Sequence, residues 1–509
     1  MVKKLISQLS VLVVLIITFA ACSKQPEYTS AIPSDASSVV AVNLQSLIQK
    51  AELDNQENQA SKQKILDALK SEMNAATFQQ LEKVIKNPGE SGIDLKAPIY
   101  VFTSPSLPQP TVVAKIGKED DLNASLDVLV KEQIIQPVTE TDGINISTTQ
   151  GGLIAFNAST LMITGAEGTN QTEKTKADIV NLLKQSAENS ISQSEAFQRA
   201  IKRQEDIRFF ASLNALPEMY RQQVSLVLPS SFPLNDIILL GGLSFEKGKI
   251  ILKTESFSEK EEVRELIKQQ LEMYKESDNT FCKFFPASTP AFINMSINGE
   301  KAHDLLKGNT AFLPPVVAEK LEKALDSLDG DIAIGFFSFP IFKTPTAIIY
   351  AEVKNDNAVK ELYNIGKTSN EEIIELGKNE YVSKSKRNNI FFGIKDKYMY
   401  VTNDEQLYKN IGKVEKESVN DTPYAPEMKG KPLFTAANME AILDLPIIKM
   451  WVGFVAGKQA DTYLKLASHI AYISCSREVE TGEITLCLKD KDTNALKQIV
   501  DLARQYTGM

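Results

Sequence analysis

The 509 residues are 43% apolar and 24% charged, with a formal net charge of −9. That balance is ordinary for globular protein with material for large cores, and at roughly 100–250 residues per domain it predicts two or three domains. An acidic chain lacks the basic footprint of a nucleic-acid binder, so no nucleic acid is expected as a partner.

In chain order the first element is a leader. Lys3 and Lys4 precede an apolar run from Val11 to Ala21, and the small pair Ala20-Ala21 sits directly before Cys22. A short charged-then-apolar segment closed by small residues reads as a secretory signal, since a spanning helix needs about 20 apolar residues. A cysteine in that place makes Phe19-Ala20-Ala21-Cys22 similar to a bacterial lipobox, although Phe19 departs from the small or aliphatic residue usual there. Residues 1–21 are therefore expected to be a lipoprotein signal peptide and Cys22 the acylated, palmitate-bearing residue. Residues 22–31, without apolar periodicity, are expected to be a flexible tether. An ordinary cleaved signal with an incidental thiol is the competing reading.

From residue 32 the same elements come round twice. Pro33, the strand-like run 39–44 and a helix open one pass; Pro286, the run 291–295 and a helix open the other. Strands at 99–102 and 110–114 answer to 333–337 and 345–349. The next helices begin at Lys118-Glu119-Asp120-Asp121 and Asn355-Asp356-Asn357, where short polar side chains can accept bonds from first-turn amides. A hairpin recurs as 153–156 with 161–164 and as 390–394 with 399–402, its polar turn between apolar runs. A strand-to-helix turn recurs at 209–214 and 433–438.

Each pass ends in a hairpin and a helix. Residues 237–245, the turn Glu246-Lys247-Gly248 and 249–253 match 470–479, Glu480-Thr481-Gly482 and 483–489. Gly last in such a turn suits a position of positive φ. The final helices fall near 259–274 and 493–506. Strands joined by short turns imply a mainly antiparallel sheet. The expected fold class is thus α+β: two similar tandem domains, each a mainly antiparallel sheet with helices packed on one face, made by internal duplication. The first repeat is expected over 32–276 and the second over 284–509, with a junction short enough for the two to dock closely. Two generic α+β halves are the competing reading.

Residues that could carry chemistry are few. His303 and His469 are the two histidines, and neither has a second ligand at useful spacing, so both read as structural. Asp326, Asp329 and Asp331 around Gly330 lack the alternating spacing and later glutamate of a calcium loop, and read as a helix end and turn. No Gly-rich phosphate loop, nucleophile elbow or zinc-binding helix motif occurs, so no catalytic residue, metal site or cofactor is assigned. Cys475 and Cys487 would face each other if Val479 lay opposite Glu483, and a disulfide between them is expected on that register. The apolar stretch 443–456, broken by Asp444, Pro446, Lys449 and Gly453, reads as a buried helix with Trp451 in the core. A ligand platform is the alternative for Trp451 should its face be open. Lys384, Lys386 and Arg387 read as a solvated loop tip.

The lipobox-like segment, the length and the opening Ile32-Pro33-Ser34-Asp35-Ala36-Ser37-Ser38-Val39-Val40-Ala41-Val42 together resemble a family of uncharacterised lipoproteins, a domain of unknown function of about this length, from Bacteroides-like gut bacteria. The resemblance covers nearly the whole chain. Its motifs are structural, so it implies location and architecture and no activity. In that lineage surface export goes with an acidic run after the lipidated cysteine. Ser23-Lys24-Gln25-Pro26-Glu27 lacks one, which implies an outer membrane lipoprotein facing the periplasm rather than the cell surface. Asp326-Ser327-Leu328 fits the short O-glycosylation pattern of these bacteria.

The expected role is a lipid-anchored envelope protein that binds or scaffolds without catalysis. Its expected partners are the membrane, through the anchor, and an unknown protein, glycan or lipid ligand. The alternatives are a periplasmic lipid or glycan carrier and a hydrolase whose site sequence alone cannot bring together.

Overall fold

The computed structural model describes residues 27–53, 74–165, 169–215, 233–306, 315–340, 344–369, 371–385, 388–478 and 480–507, with isolated positions at 59–70 and 218–219. The expected signal peptide and Cys22 lie outside the described residues.

The description opens on a 3₁₀ turn, Glu27–Ala31. Its Tyr28 is fully buried, donates its hydroxyl to Pro98 O at 2.7 Å and packs 5.7 Å from the Tyr100 ring. Residues 27–31 were expected to belong to a tether; they are instead part of a core, because one aromatic ring finds a pocket there.

Ten strands form the first half: β1 (Ser38–Val42), β2 (Ile99–Thr103), β3 (Thr111–Lys115), β4 (Thr139–Thr141), β5 (Ile144–Thr148), β6 (Gly152–Phe156), β7 (Thr160–Gly165), β8 (Ile207–Ser212), β9 (Ile238–Glu246) and β10 (Lys249–Phe257). All neighbours are antiparallel, and the order across the sheet is β4-β5-β6-β7-β3-β2-β1-β8-β9-β10. Ten more follow: β11 (Ala291–Asn298), β12 (Leu328–Ser338), β13 (Thr346–Val353), β14 (Glu372–Gly377), β15 (Glu380–Lys384), β16 (Asn389–Lys395), β17 (Tyr398–Thr402), β18 (Leu433–Asn438), β19 (Ile470–Arg477) and β20 (Thr481–Leu488). Their order is β14-β15-β16-β17-β13-β12-β11-β18-β19-β20, again antiparallel throughout. Position by position the two orders correspond.

The halves do not merely dock. β10 pairs antiparallel with β20, Lys249 opposite Cys487 through Glu255 opposite Thr481, so the described residues form one sheet of twenty strands. Open sheets seldom exceed about ten strands. Here two ten-stranded units meet edge to edge, which pairs off both long inner edges. The outermost strands are the three-residue β4 and β14, which carries Glu372 and Glu375; short and charged edges resist further pairing.

Residues alternate between the two faces of each strand. The helices α1 (Glu119–Lys131), α2 (Thr169–Lys184) and α3 (Glu195–Ile201) flank the first half. On one face, Tyr100, Phe102, Phe210, Leu240 and Phe257 pack with Ile179 and Leu183 of α2 and Phe197 of α3. The same face of the second half holds Phe285, Phe292, Tyr350, Tyr400, Phe434 and Tyr472. On the opposite face α1 lays Leu122, Leu126 and Leu129 over Ile99, Ala114, Ile154 and Phe156. In the second half Ala302 of α4 (Gly299–Leu306) joins Ile297, Ile332 and Ala351 there. Helices thus cover both faces rather than the one expected, because these strands are apolar on both sides.

The turn between β9 and β10 is Lys247-Gly248, with Gly248 at φ +64°. The positive φ matches the expectation. A Cβ on Gly248 would also lie 2.6 Å from Lys491 Cα, so only hydrogen there lets the chain after β20 pass.

Candidate functional site

The polar residues singled out by sequence go to separate partners. His303 Nδ1 sits 2.6 Å from Asp326 and its Nε2 4.0 Å from Glu322, tying α4 to α5 (Pro315–Leu325). Asp329 pairs with Lys275 at 3.1 Å, and buried Asp331 accepts the Thr280 N–H at 2.8 Å. Among the described residues no group of three or more His, Cys, Asp or Glu could hold a metal. His469 ends a helix, its N–H donating to Leu466 O. Ser327 is buried and donates to Ala324 O at 2.7 Å, so its hydroxyl is not presented for the glycosylation its motif suggested.

The expected Cys475–Cys487 disulfide is not formed. Cys475 lies opposite Ile484 and Cys487 opposite Tyr472, which puts the thiols on opposite faces of the sheet, and both are free. Arg477 pairs with Gly482, so the residue opposite Cys475 is Ile484, three positions before the Cys487 expected there.

Where the halves join, the face that carries the aromatic cores becomes polar. Glu427 of α6 (Ala425–Met428) accepts Lys249 Nζ at 2.5 Å, the Tyr472 hydroxyl at 2.8 Å and Ser474 Oγ at 3.2 Å. Burial first, then the Glu427 carboxylate beside it, pushes the Tyr472 phenol far above its ordinary value. Lys253 pairs with Glu483 at 3.6 Å across the same seam, and Arg199 and Arg203 hold Glu255.

The other face of the seam is apolar and only partly covered. Leu243, Leu252, Ile484 and Cys475 stand side by side on β9, β10, β20 and β19, with Ile250, Leu486 and Ile473 as a second row. None of these seven is buried, and Ile484 is 44% exposed at the middle of the sheet. Their neighbours on the first face, Tyr472, Ser474, Thr485 and Cys487, are buried. A cavity on that first face, beneath α3 and beside Tyr100 and Arg208, measures about 10 Å³, room for about one water.

The second exposed feature is an arm between the adjacent strands β18 and β19. It consists of α7 (Met439–Asp444), α8 (Pro446–Ala456) and α9 (Ala460–Ala467). Asn438 caps α7 by accepting the Ala441 N–H, Pro446 opens α8, and Gly457 at φ +52° ends it. The stretch expected to be a buried helix is a helix with no buried residue, and Trp451 is 55% exposed rather than in the core. Hydropathy called for cover; the fold supplies none on that side. Among the described residues no helix is long and apolar enough to cross a membrane.

Sequence reasoning missed the Glu427 hub because its partners are 178 and 45 residues away. The apolar rows had a faint signal: β9, β10, β19 and β20 carry apolar residues in both alternating phases, more than one covered face needs.

No curated protein matches the chain. Among solved structures it is similar to crystal form III of TP0453, at 11% identity over 50% of this chain and 90% of that one with a TM-score of 0.27. Crystal form I of the same protein gives 12% identity over 50% and 88%, with a TM-score of 0.26. A family model, "Domain of unknown function (DUF4836)", matches residues 28–496, and the chain belongs to that family.

Proposed function

We propose that this member of the family is a lipid-anchored outer membrane protein, facing the periplasm, that binds an apolar ligand or partner surface without catalysis. The observation that carries the reading is the apolar face across the seam: two rows of apolar side chains, six half-buried and Ile484 exposed, in the middle of a sheet whose other face buries Tyr472, Ser474, Thr485 and Cys487. Exposed contiguous apolar patches on a folded body mark interaction sites. The anchor rests on Phe19-Ala20-Ala21-Cys22, and acyl chains contribute about 0.8 kcal/mol per buried methylene toward holding a soluble body at a bilayer. A lipid carrier is the second reading, favoured by the apolar character of the rows, aliphatic but for Cys475.

Internal duplication into tandem domains accompanies this proposal. The corresponding strand orders support it, as do matched details: the bridges Pro33–Ser190 and Pro286–Ser418, and the N–H of Asn43 on Asp206 O beside that of Ser296 on Pro432 O. The turns at Tyr28 and Phe281, both buried, would then open the two copies.

A photoreactive amino acid at position 484 tests the binding face in intact envelopes, with position 253 on the opposite face as its control. Adducts at 484 and none at 253 are the expected result, and their mass separates a protein from a lipid. No adduct at 484, or equal adducts at both, overturns the reading. Cys22→Ala is expected to release the protein from membranes; unchanged retention and acylation would count against the anchor.

A further inference from the structure

We infer that α8 is a membrane-docking helix, lying in the plane of a bilayer interface with its outer face among the acyl chains. Eleven residues rise about 16 Å, roughly half the 30 Å hydrocarbon core, so the helix is too short to span and must lie flat.

At 100° per residue, Ile447, Met450, Trp451, Phe454 and Val455 share an arc about 140° wide. Ile447 is half-buried, and exposure rises toward the C-terminal turn: Met450 47%, Trp451 55%, Phe454 84% and Val455 74%. Tyr463 on α9 is exposed as well. Inside this arc the indole N–H is the one side-chain hydrogen-bonding group. Lys449 stands on the opposite side of the helix, 3.6 Å from Asp444. Ile448, Val452 and Ala456, between Val455 and Lys449, are half-buried, and α8 packs on α7 and α9. A helix apolar nearly all round is normally covered by protein or by lipid, and protein covers only one side of this one.

Lipid fits the remaining side better than a second copy does. Taking those fractions of a full area of roughly 150–250 Å² per large side chain, the patch amounts to about 500 Å², short of the ~800 Å² per partner of a stable interface. A protein interface would also bring a polar rim with hydrogen bonds, which this arc lacks. A bilayer sets no minimum area. A broad apolar face with a lysine on the opposite side of the helix, and the chain's single Trp where ring and N–H meet both phases, is the pattern of an interfacial helix. The inference needs no acyl chain and does not rest on the sheet-face reading.

Trp451 is the single tryptophan, so its emission reports on α8 alone. The chain from residue 22 onward, carrying Cys22→Ser to remove acylation, keeps every described residue. It is titrated with vesicles of phosphatidylethanolamine and phosphatidylglycerol. The expected result is a blue shift that saturates with lipid, together with quenching by lipids brominated high in the acyl chain. Phe454→Asp combined with Val455→Asp should weaken partitioning at least tenfold. Both side chains are exposed, so circular dichroism and the urea midpoint should stay unchanged. Ile484→Asp, on the apolar sheet face, should leave partitioning as it was. Three outcomes overturn the inference: no shift at saturating lipid, a shift that grows with protein concentration in the absence of lipid, or partitioning lost with Ile484→Asp and kept in the α8 variant. Failure of the sheet-face experiment would leave this one intact.

Discussion

Glu427 offers the sharpest test of how the two halves hold together, because one carboxylate serves β10 of the first half and β19 of the second. Its bond to Lys249 is an ion pair, and at an effective dielectric near 20 two charges about 4 Å apart attract by about 4 kcal/mol. Lys249 is 37% exposed, so solvent screening cuts that to about 1 kcal/mol. The bond to Tyr472 differs in kind. The ring is buried and the hydroxyl donates to a charged acceptor, an arrangement that contributes about 1.5–3 kcal/mol and leaves an unpaired buried hydroxyl when broken. Glu427→Ala should therefore cost about 3 kcal/mol, Lys249→Ala about 1, and the double variant about 3 rather than 4. Glu427→Gln, which keeps an acceptor for Tyr472, should cost about 1–2 kcal/mol. Equilibrium urea unfolding followed by far-UV circular dichroism measures all four. The reasoning fails if Glu427→Ala costs less than Lys249→Ala. It also fails if the two single losses add to within about 0.3 kcal/mol, since residues in one network should couple.

Gly248→Ala should destabilise by about 2–4 kcal/mol, because a Cβ would be both at positive φ and 2.6 Å from Lys491 Cα; a urea midpoint equal to that of the unaltered chain would refute the close approach. Burial pushes the Cys282 thiol up to about 12 and raises that of Cys475 as well, so each holds less thiolate at pH 8 than a free cysteine. Iodoacetamide at that pH should modify half-exposed Cys475 slowly, with the rate climbing as pH rises toward the shifted value, and should reach Cys282 and Cys487 only in urea. A mass two hydrogens lower than the free-thiol chain, or native labelling of Cys282, would contradict this.

Much of the sheet could be read from the chain because each matched strand pair has its own period and its own turn. The hairpin 153–164 and its counterpart at 390–402 are apolar runs bounded by polar residues, and both are paired as expected. What escaped were the four outer strands β4, β5, β14 and β15, of which the two at the edges bury least. β4 is three residues of Thr-Glu-Thr and β14 begins with glutamate, so neither stands out from a loop. Register at 475–487 escaped for another reason: apolar residues occupy both phases there, and hydrophobicity alone does not fix which residues face each other. Trp451 was misplaced since an apolar helix carries no record of what covers it. The joining of β10 to β20 has no local signature, as a strand with one open edge and a strand with none share the same alternation. The apolar rows at the seam were therefore invisible until the halves were seen to share a sheet.

The β10–β20 pairing also governs how this protein can be taken apart. A fragment ending after the first half would bare a nine-residue strand along its whole length, donors and acceptors ready, with Ile250 and Leu252 beside them. Antiparallel pairing is indifferent to which molecule supplies the other strand, so another copy of the same fragment could take the place of β20. A pairing made inside one chain would then be made between two. Cutting the molecule at its middle would turn an internal strand pairing into an exposed edge on each half.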